Sequence, residues 1–232
     1  MTNIKQTKTE RVKRVFDQVF HKYDLMNDLM SLGVHRIWKS RLIDWMNPKK
    51  DDCLIDMASG TGDIALSFLK RLHFQGEVTC VEPNRLMFGY GKEKLKNYKQ
   101  IKWQCSTAEK LPFKNETFDL YSVSFGMRNF SNINQSLKEA KRVLKSGGRI
   151  LCLEFSKVEN EMLNKFYKIY SRSIPYLGKY ITGKSEPYEY LINSIDEFYN
   201  QDQLLEIFKN NGFEKVEYRN LSGGIVAIHS GW

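Results

Sequence analysis

The chain has 232 residues, 41% hydrophobic and 27% charged, which suits one α/β domain with a sizeable core better than two domains. No run of about 18 apolar residues occurs, so no membrane-spanning helix is expected, and the opening MTNIKQTKTERVKR lacks the apolar stretch of a secretory signal. Lys and Arg outnumber Asp and Glu 36 to 27, a surplus that attracts nucleic acid, phosphorylated small molecules or an acidic membrane surface without choosing among them.

In chain order, residues 8 to 22 read as a charged helix with Val12, Val15, Phe16 and Val19 on one face. A second helix is expected from about 35 to 46, stopping at Asn47-Pro48 because Pro disfavours helix before it. Alternation then sets in. CLIDMA is a buried strand, DIALSFLKRL a helix, GEVTCVEPN a strand ending in an acid, 84 to 97 a helix and IKWQC a strand. FDLYSVSF is a further strand, 131 to 145 a helix closed by Ser146-Gly147-Gly148, and RILCLEF a strand. Strands separated by helices imply βαβ units and a parallel sheet. Residues 159 to 210 read as mostly helical, with a break around Pro175 and Gly178. FEKVEYRNL and GGIVAIHSG then form an antiparallel hairpin at the sheet edge. Cys53, Cys80, Cys105 and Cys152 show no metal-ligand spacing and read as reduced thiols packed in strands of a cytosolic protein, so no metal is expected.

LIDMASGTGDIA, residues 54 to 65, carries the first functional signal: Gly60, Gly62 and Ala65 fit the dinucleotide fingerprint. Glu82 follows Gly62 by 20 residues, the spacing of an acid that reaches a ribose diol. Two further carboxylates, Asp56 and Asp63, flank the loop, and each opposes a pyrophosphate by about 4 kcal/mol at ~4 Å in a surface-like medium. That disfavours a nicotinamide-dependent reductase and favours a cationic nucleoside, S-adenosylmethionine. CSTAEKLPF, after the third strand, is the polar loop that meets the adenine. SVSFGMRN, ending the fourth, faces the methyl donor and acceptor.

On KYDLMNDLMSLGVHRIWK, LIDMASGTGDIA, AEKLPFKNETFDLYSVSFGMRNF, RVLKSGGRILCLEFSK, YEYLINSI and NLSGGIVAIHSGW, the chain resembles the ubiquinone/menaquinone biosynthesis C-methyltransferases over nearly its whole length. These are class I enzymes that use S-adenosylmethionine. It departs from them at Ser59, where Gly is usual, at Glu82, often Asp, and at Ser146, commonly Pro. The resemblance implies a Rossmann-like seven-stranded class I methyltransferase sheet with an antiparallel last strand. It implies cofactor contacts at Thr61, at Glu82 for the ribose, at Thr107 and Ala108 for the adenine, and at Ser124. Asp56, Gly60 and Gly62 complete the expected cofactor set. The implied acceptor is a polyprenylated benzoquinol or naphthoquinol.

One domain is expected over 1–232: a helical cap at 1–47, a cofactor-binding core at 48–156, an inserted helical acceptor and membrane-facing segment at 157–210, and a terminal hairpin at 211–232. Methylating a ring carbon requires loss of a hydroxyl proton, an in-line approach and an acceptor for the ring proton. The expected catalytic residues are Arg128, which stabilises a quinolate, with Tyr23 and Asn129 as hydrogen-bonding partners of the quinol. Asp24, His21, His35 and Glu154 are secondary candidates, Glu154 for the ring proton, whereas His73 and His229 read as surface and sheet residues. Apolar and basic residues alternate through 161–183, as in an interfacial helix on anionic lipid, so transient contact with an anionic membrane surface is expected, from the cytoplasmic side of the inner membrane. A homodimer and a quinone-biosynthesis complex both stay open. The competing readings are a methyltransferase for RNA or another small molecule, disfavoured by the lack of a basic stripe with interleaved aromatics and hence of a nucleic-acid partner, and an inactive accessory subunit, disfavoured by the intact loop and Glu82.

Overall fold

The computed structural model describes residues 8–232, together with all their side chains except those of Thr9, Val19, Lys22, Tyr23, Asp24, Ile181 and Thr182. The first three helices are α1 (Lys8–Val19), α2 (Tyr23–Ser31) and α3 (His35–Met46), the last closed by Asn47 in the left-handed conformation. There follow β1 (Cys53–Met57), α4 (Asp63–Arg71), β2 (Glu77–Val81), α5 (Arg85–Lys94), β3 (Ile101–Gln104), β4 (Phe118–Ser124), α6 (Ile133–Val143) and β5 (Leu144–Phe155). The last third holds α7 (Glu161–Thr182), α8 (Glu186–Asp196), α9 (Gln201–Asn210), β6 (Glu217–Leu221) and β7 (Val226–Gly231).

The seven strands form one sheet in the order β3-β2-β1-β4-β5-β7-β6. β1 to β5 pair in parallel, and β7 runs antiparallel to β5 and β6. Successive residues of a strand face opposite sides, and both sides are buried. Leu54, Cys80, Leu120 and Leu151 thus join Leu42 of α3, Phe68 of α4 and Ile174 of α7. Ile55, Val81, Tyr121 and Cys152 join Leu137 of α6 and Phe208 of α9 on the other face.

Three local expectations fail. Ser146-Gly147-Gly148 do not close a helix: α6 ends at Val143 and these residues lie within β5. No break occurs at Pro175 or Gly178: α7 runs unbroken for 22 residues. Tertiary packing overrides the local preference there, because Ile174 is buried in the core and a Cβ on Gly178 would stand 2.3 Å from the Tyr188 ring. Gly178 is therefore a seat for α8, not a helix stop. Cys105 is exposed, beyond the end of β3, while Cys80 and Cys152 are buried in strands as expected.

Candidate functional site

The strand order reverses between β1 and β4, where open α/β sheets bind ligands beyond the carboxyl ends of the strands. Both strands leave the sheet through unusual backbone. Ala58 after β1 and Phe125 after β4 have φ of 54° and 57°, rare for residues with a Cβ. Gly126 lets the two turns touch: a Cβ there would lie 2.6 Å from that of Ala58. Strain of this kind persists only where the surrounding structure enforces it, and it gathers at functional sites.

A cavity of about 200 Å³ opens at this point. It is lined by Met57, Gly60 and Glu82, by Met87, Thr107 and Ala108, by Phe125, Gly126 and Asn129, and by Val12 and Phe16 of α1. Glu82 is buried, its Oε2 accepting the Gly60 N–H at 2.9 Å and its Oε1 the Asn84 N–H at 2.9 Å. Burial raises its pKa to about 7 against the pull of those two backbone donors. The same side chain thus fixes the glycine loop and presents a carboxylate to the cavity. Asn84 in turn caps α5 through the Leu86 and Met87 N–H groups and holds Asp17 of α1 at 2.7 Å.

A hollow of about 20 Å³ next to the loop is lined by Asp56, Thr61, Asp63, Ser124 and Lys39. Asp56 is buried and accepts from Ser122 Oγ at 2.7 Å, while its Oδ2 and Ser124 Oγ have no protein hydrogen-bond partner. Burial brings the Asp56 pKa up to about 7, against the Ser122 hydrogen bond. Asp63 behaves differently. Burial pushes its pKa up, but Lys39 at 2.9 Å and Lys94 at 3.3 Å outweigh that and hold it well below the usual carboxylate range. Two lysines on one carboxylate leave a net positive charge, so Asp63 does not repel a phosphate as its place in the sequence suggests. The electrostatic discrimination rests on Asp56 and Glu82.

The expected cofactor residues Glu82, Gly60, Thr107 and Ala108 line the larger cavity, and Asp56, Thr61 and Ser124 line the hollow. Gly62 faces neither. It has φ of 84°, and a Cβ would meet Leu95 at 2.4 Å, so it serves helix packing.

The expected catalytic residues separate. Asn129 lines the cofactor cavity, and its Oδ1 accepts the Tyr190 hydroxyl at 2.8 Å. Arg128 is buried behind it, bonded to Glu154 at 2.7 Å and to the Phe125 carbonyl, and it lines a neighbouring cavity of about 720 Å³ that shares Phe130 and Ser131 with the first. Glu154 also accepts the Arg128 and Phe155 N–H groups. The pair therefore fixes the turn that walls the cavity. The side chains of Tyr23 and Asp24 lie outside the described residues. His35 is buried against Asp28 at 2.9 Å and His21 is exposed, neither lining the cofactor cavity. His229 is buried in β7 and bonds the Gln201 carbonyl.

Sequence reasoning passed over Lys39, Asn84 and Met87, and it saw the apolar face of α1 without its place at the cavity. Asn84 was findable, as an Asn just before a helical pattern is an N-cap signal. Lys39 carries no local signal, since it meets Asp63 only through the packing of α3 on α4.

A parallel sheet with a nucleoside-sized site at its switch point and an antiparallel last strand is the architecture of Rossmann-like methyltransferases. The fold resembles a SAM-dependent methyltransferase, possible histamine N-methyltransferase, of Thermotoga maritima, with a TM-score of 0.67 at 18% identity over 94% of this chain and 97% of that one. The model of the ubiE/COQ5 methyltransferase family matches residues 1–232, and the chain belongs to that family. The ubiquinone/menaquinone biosynthesis C-methyltransferase UbiE of Rickettsia bellii (strain OSU 85-389) is 47% identical over 232 residues, covering 97% of this chain and 93% of the relative. Its counterpart in Ruegeria sp. (strain TM1040) is 44% identical over 229 residues, covering 97% and 91%.

Proposed function

We infer that the protein methylates a ring carbon of a polyprenylated benzoquinol or naphthoquinol in ubiquinone or menaquinone biosynthesis, with S-adenosylmethionine as the methyl donor. The residues at the switch point suit that cofactor. Glu82 is the acceptor for the ribose hydroxyls, with Thr107, Ala108 and Met87 beside the adenine. Thr61, Ser124 and Asp56 take the amino-acid end. The observation that carries the reading is the orphaned pair, Asp56 Oδ2 and Ser124 Oγ, buried next to a buried Glu82. Buried polar atoms without partners are rare and call for one, and a donor such as an ammonium group satisfies both. When bound, S-adenosylmethionine supplies an electrophilic methyl group on a cationic sulfur.

The chain's own work is to position the acceptor and to favour its ionised form. A quinol ring carbon becomes nucleophilic when a neighbouring hydroxyl loses its proton. Asn129 meets the ring oxygen: the Tyr190 hydroxyl occupies its Oδ1, which leaves its amide N–H groups as donors. The guanidinium of Arg128 stabilises a quinolate and is not the base. Holding two reactants in register supplies much of the acceleration. Tyr23 is assigned as a further partner of the quinol.

The described part of the cap, 8–47, and the segment 157–210 form the acceptor side, residues 1–7 of the cap lying outside the described residues. No helix among the described residues is long and apolar enough to cross a membrane. On α7, however, Met162, Phe166, Ile169, Tyr176 and Tyr180 are between 66% and 92% exposed, interleaved with Lys165, Lys168, Arg172 and Lys179. Such a helix suits an anionic lipid surface, from which a prenylated substrate is drawn. The protein works there as a transient peripheral visitor on the cytoplasmic face.

Quinone profiling of a deletion strain by mass spectrometry tests the function. The expected result is a ring-demethylated quinone, restored to normal mass by the reintroduced chain. An unchanged quinone pool contradicts it.

A further inference from the structure

A second charged cavity, of about 520 Å³, lies between the end of α3 and strands β6 and β7. It runs along the sheet: Arg149, which lines it, pairs with Leu120 four residues before the Ser124–Leu153 pair at the cofactor end, whereas Arg219 pairs with Ile228, the partner of Leu153. Two guanidinium groups share one aromatic ring there. Arg149 stands 5.1 Å and Arg219 4.2 Å from the centre of Trp45, and Arg149 also stacks on Trp232 at 4.4 Å. Arg149 is further fixed by hydrogen bonds to Ser230 Oγ at 2.6 Å and to the Trp45 carbonyl at 2.8 Å.

Two like charges on one ring repel. Among the described residues neither Arg149 nor Arg219 has a carboxylate within ion-pair distance. Asp44, the acid of this cavity, is bonded to Arg71 and lies 3.7 Å from Arg41. Glu217 acts on Arg149 from a greater distance. Burial draws the Arg149 pKa down, Glu217 offsets part of that, and Arg219 adds to it. Charge held together at a cost by stacking and hydrogen bonds is the mark of a site prepared for an opposite charge. A planar guanidinium fork matches the oxygens of phosphate, and stacking on Trp fixes its direction in advance.

We propose that this cavity is an anion site that takes a phosphate group between Arg149 and Arg219, with Arg41 at its rim. The phosphate is either free in solution or the headgroup of a lipid. The site is independent of the methyl-transfer reading, since none of its residues lines the cofactor cavity.

Calorimetric titration of the full chain with sodium phosphate in low-chloride buffer tests it. Arg219 is exposed, so Arg219→Gln leaves the thermal midpoint in place, and Lys209→Gln on α9 controls for the loss of one charge. Loss of one charge-assisted contact weakens phosphate binding about tenfold in Arg219→Gln, while Lys209→Gln binds as the parent does. Flotation with phosphatidate vesicles separates the sources. Recovery that falls in Arg219→Gln and is competed by phosphate assigns a lipid headgroup; solution binding with recovery indifferent to Arg219→Gln assigns a free phosphate. Absence of binding in both arms, or binding that Arg219→Gln leaves unchanged, overturns the proposal.

Discussion

The cofactor cavity and the face of α7 represent opposite ways of holding a ligand. The cavity is built from buried polar groups whose partners are fixed in advance: Glu82 between two backbone N–H groups, the Phe125 turn clamped by Arg128 and Glu154, two strand ends pressed together at Gly126. On α7, large apolar side chains stand in water with little to hold them. A preorganised site pays its ordering cost at folding and discriminates by geometry. An exposed apolar stripe discriminates only by area and charge, which suits a surface as variable as a lipid layer. Changes in the first region should therefore alter affinity and stability sharply, and changes in the second should alter association while leaving the fold intact.

The largest effect is expected from Glu82→Ala. It removes the ribose acceptor and leaves the buried Gly60 and Asn84 N–H groups unpaired, so calorimetry should show S-adenosylmethionine affinity falling about 100-fold or more. An affinity within a few-fold of the parent would place the nucleoside elsewhere.

Stability against pH probes the same carboxylates. Asp56 and Glu82 have folded pKa values raised to about 7, above those of unfolded carboxylic acids near 4. The ligand-free fold therefore favours their protonated forms. The stability they contribute is fully present below pH ~4 and is lost as pH rises through about 7. Thermal midpoints of the ligand-free protein should decline over that window, and Asp56→Asn should flatten part of the decline. A midpoint that climbs for the same reason in both proteins would refute the shifts.

Gly126→Ala isolates the packing of the two strand ends. A methyl group 2.6 Å from the Ala58 Cβ forces those turns apart, with an overpacking cost of about 1–3 kcal/mol. Circular dichroism melts should show the loss together with weaker cofactor binding. An unperturbed midpoint would mean the contact is slack.

The smallest effect on the fold is expected on α7. Phe166→Ser combined with Ile169→Ser changes two exposed side chains, 66% and 69% accessible, and should move stability by no more than about 0.5 kcal/mol per site. Recovery on anionic vesicles should nevertheless drop, and neutral vesicles should recover less of either protein. Equal flotation of parent and variant, or of anionic and neutral vesicles, would remove the membrane role from this helix.

The parts of this contrast visible in the sequence are those written in local pattern. Alternating apolar runs marked the strands, and the Gly60–Gly62 loop with Glu82 20 residues on marked the nucleoside end. What stayed hidden depends on distant partners. Asp63 reads as a free negative charge until α3 brings Lys39 to it. Pro175 and Gly178 read as a helix break until Ile174 and Tyr188 are seen packed around them. Arg128 gives no local sign of its ion pair until Glu154, on a neighbouring strand, is seen against it. The wall contributed by α1 is likewise a matter of tertiary placement, since Val12 and Phe16 look like any apolar helix face.

The most direct measurement is a calorimetric titration of the purified chain with S-adenosylmethionine at pH 6 and pH 8, with NADH as the competing nucleotide. If ionised Asp56 and Glu82 receive the ligand, one molecule binds per chain, more tightly at pH 8 because ionising the two carboxyls there requires less work, and NADH fails to displace it. Binding that weakens at pH 8, or NADH held in place of S-adenosylmethionine, would contradict the assignment of these buried carboxylates to a cationic nucleoside.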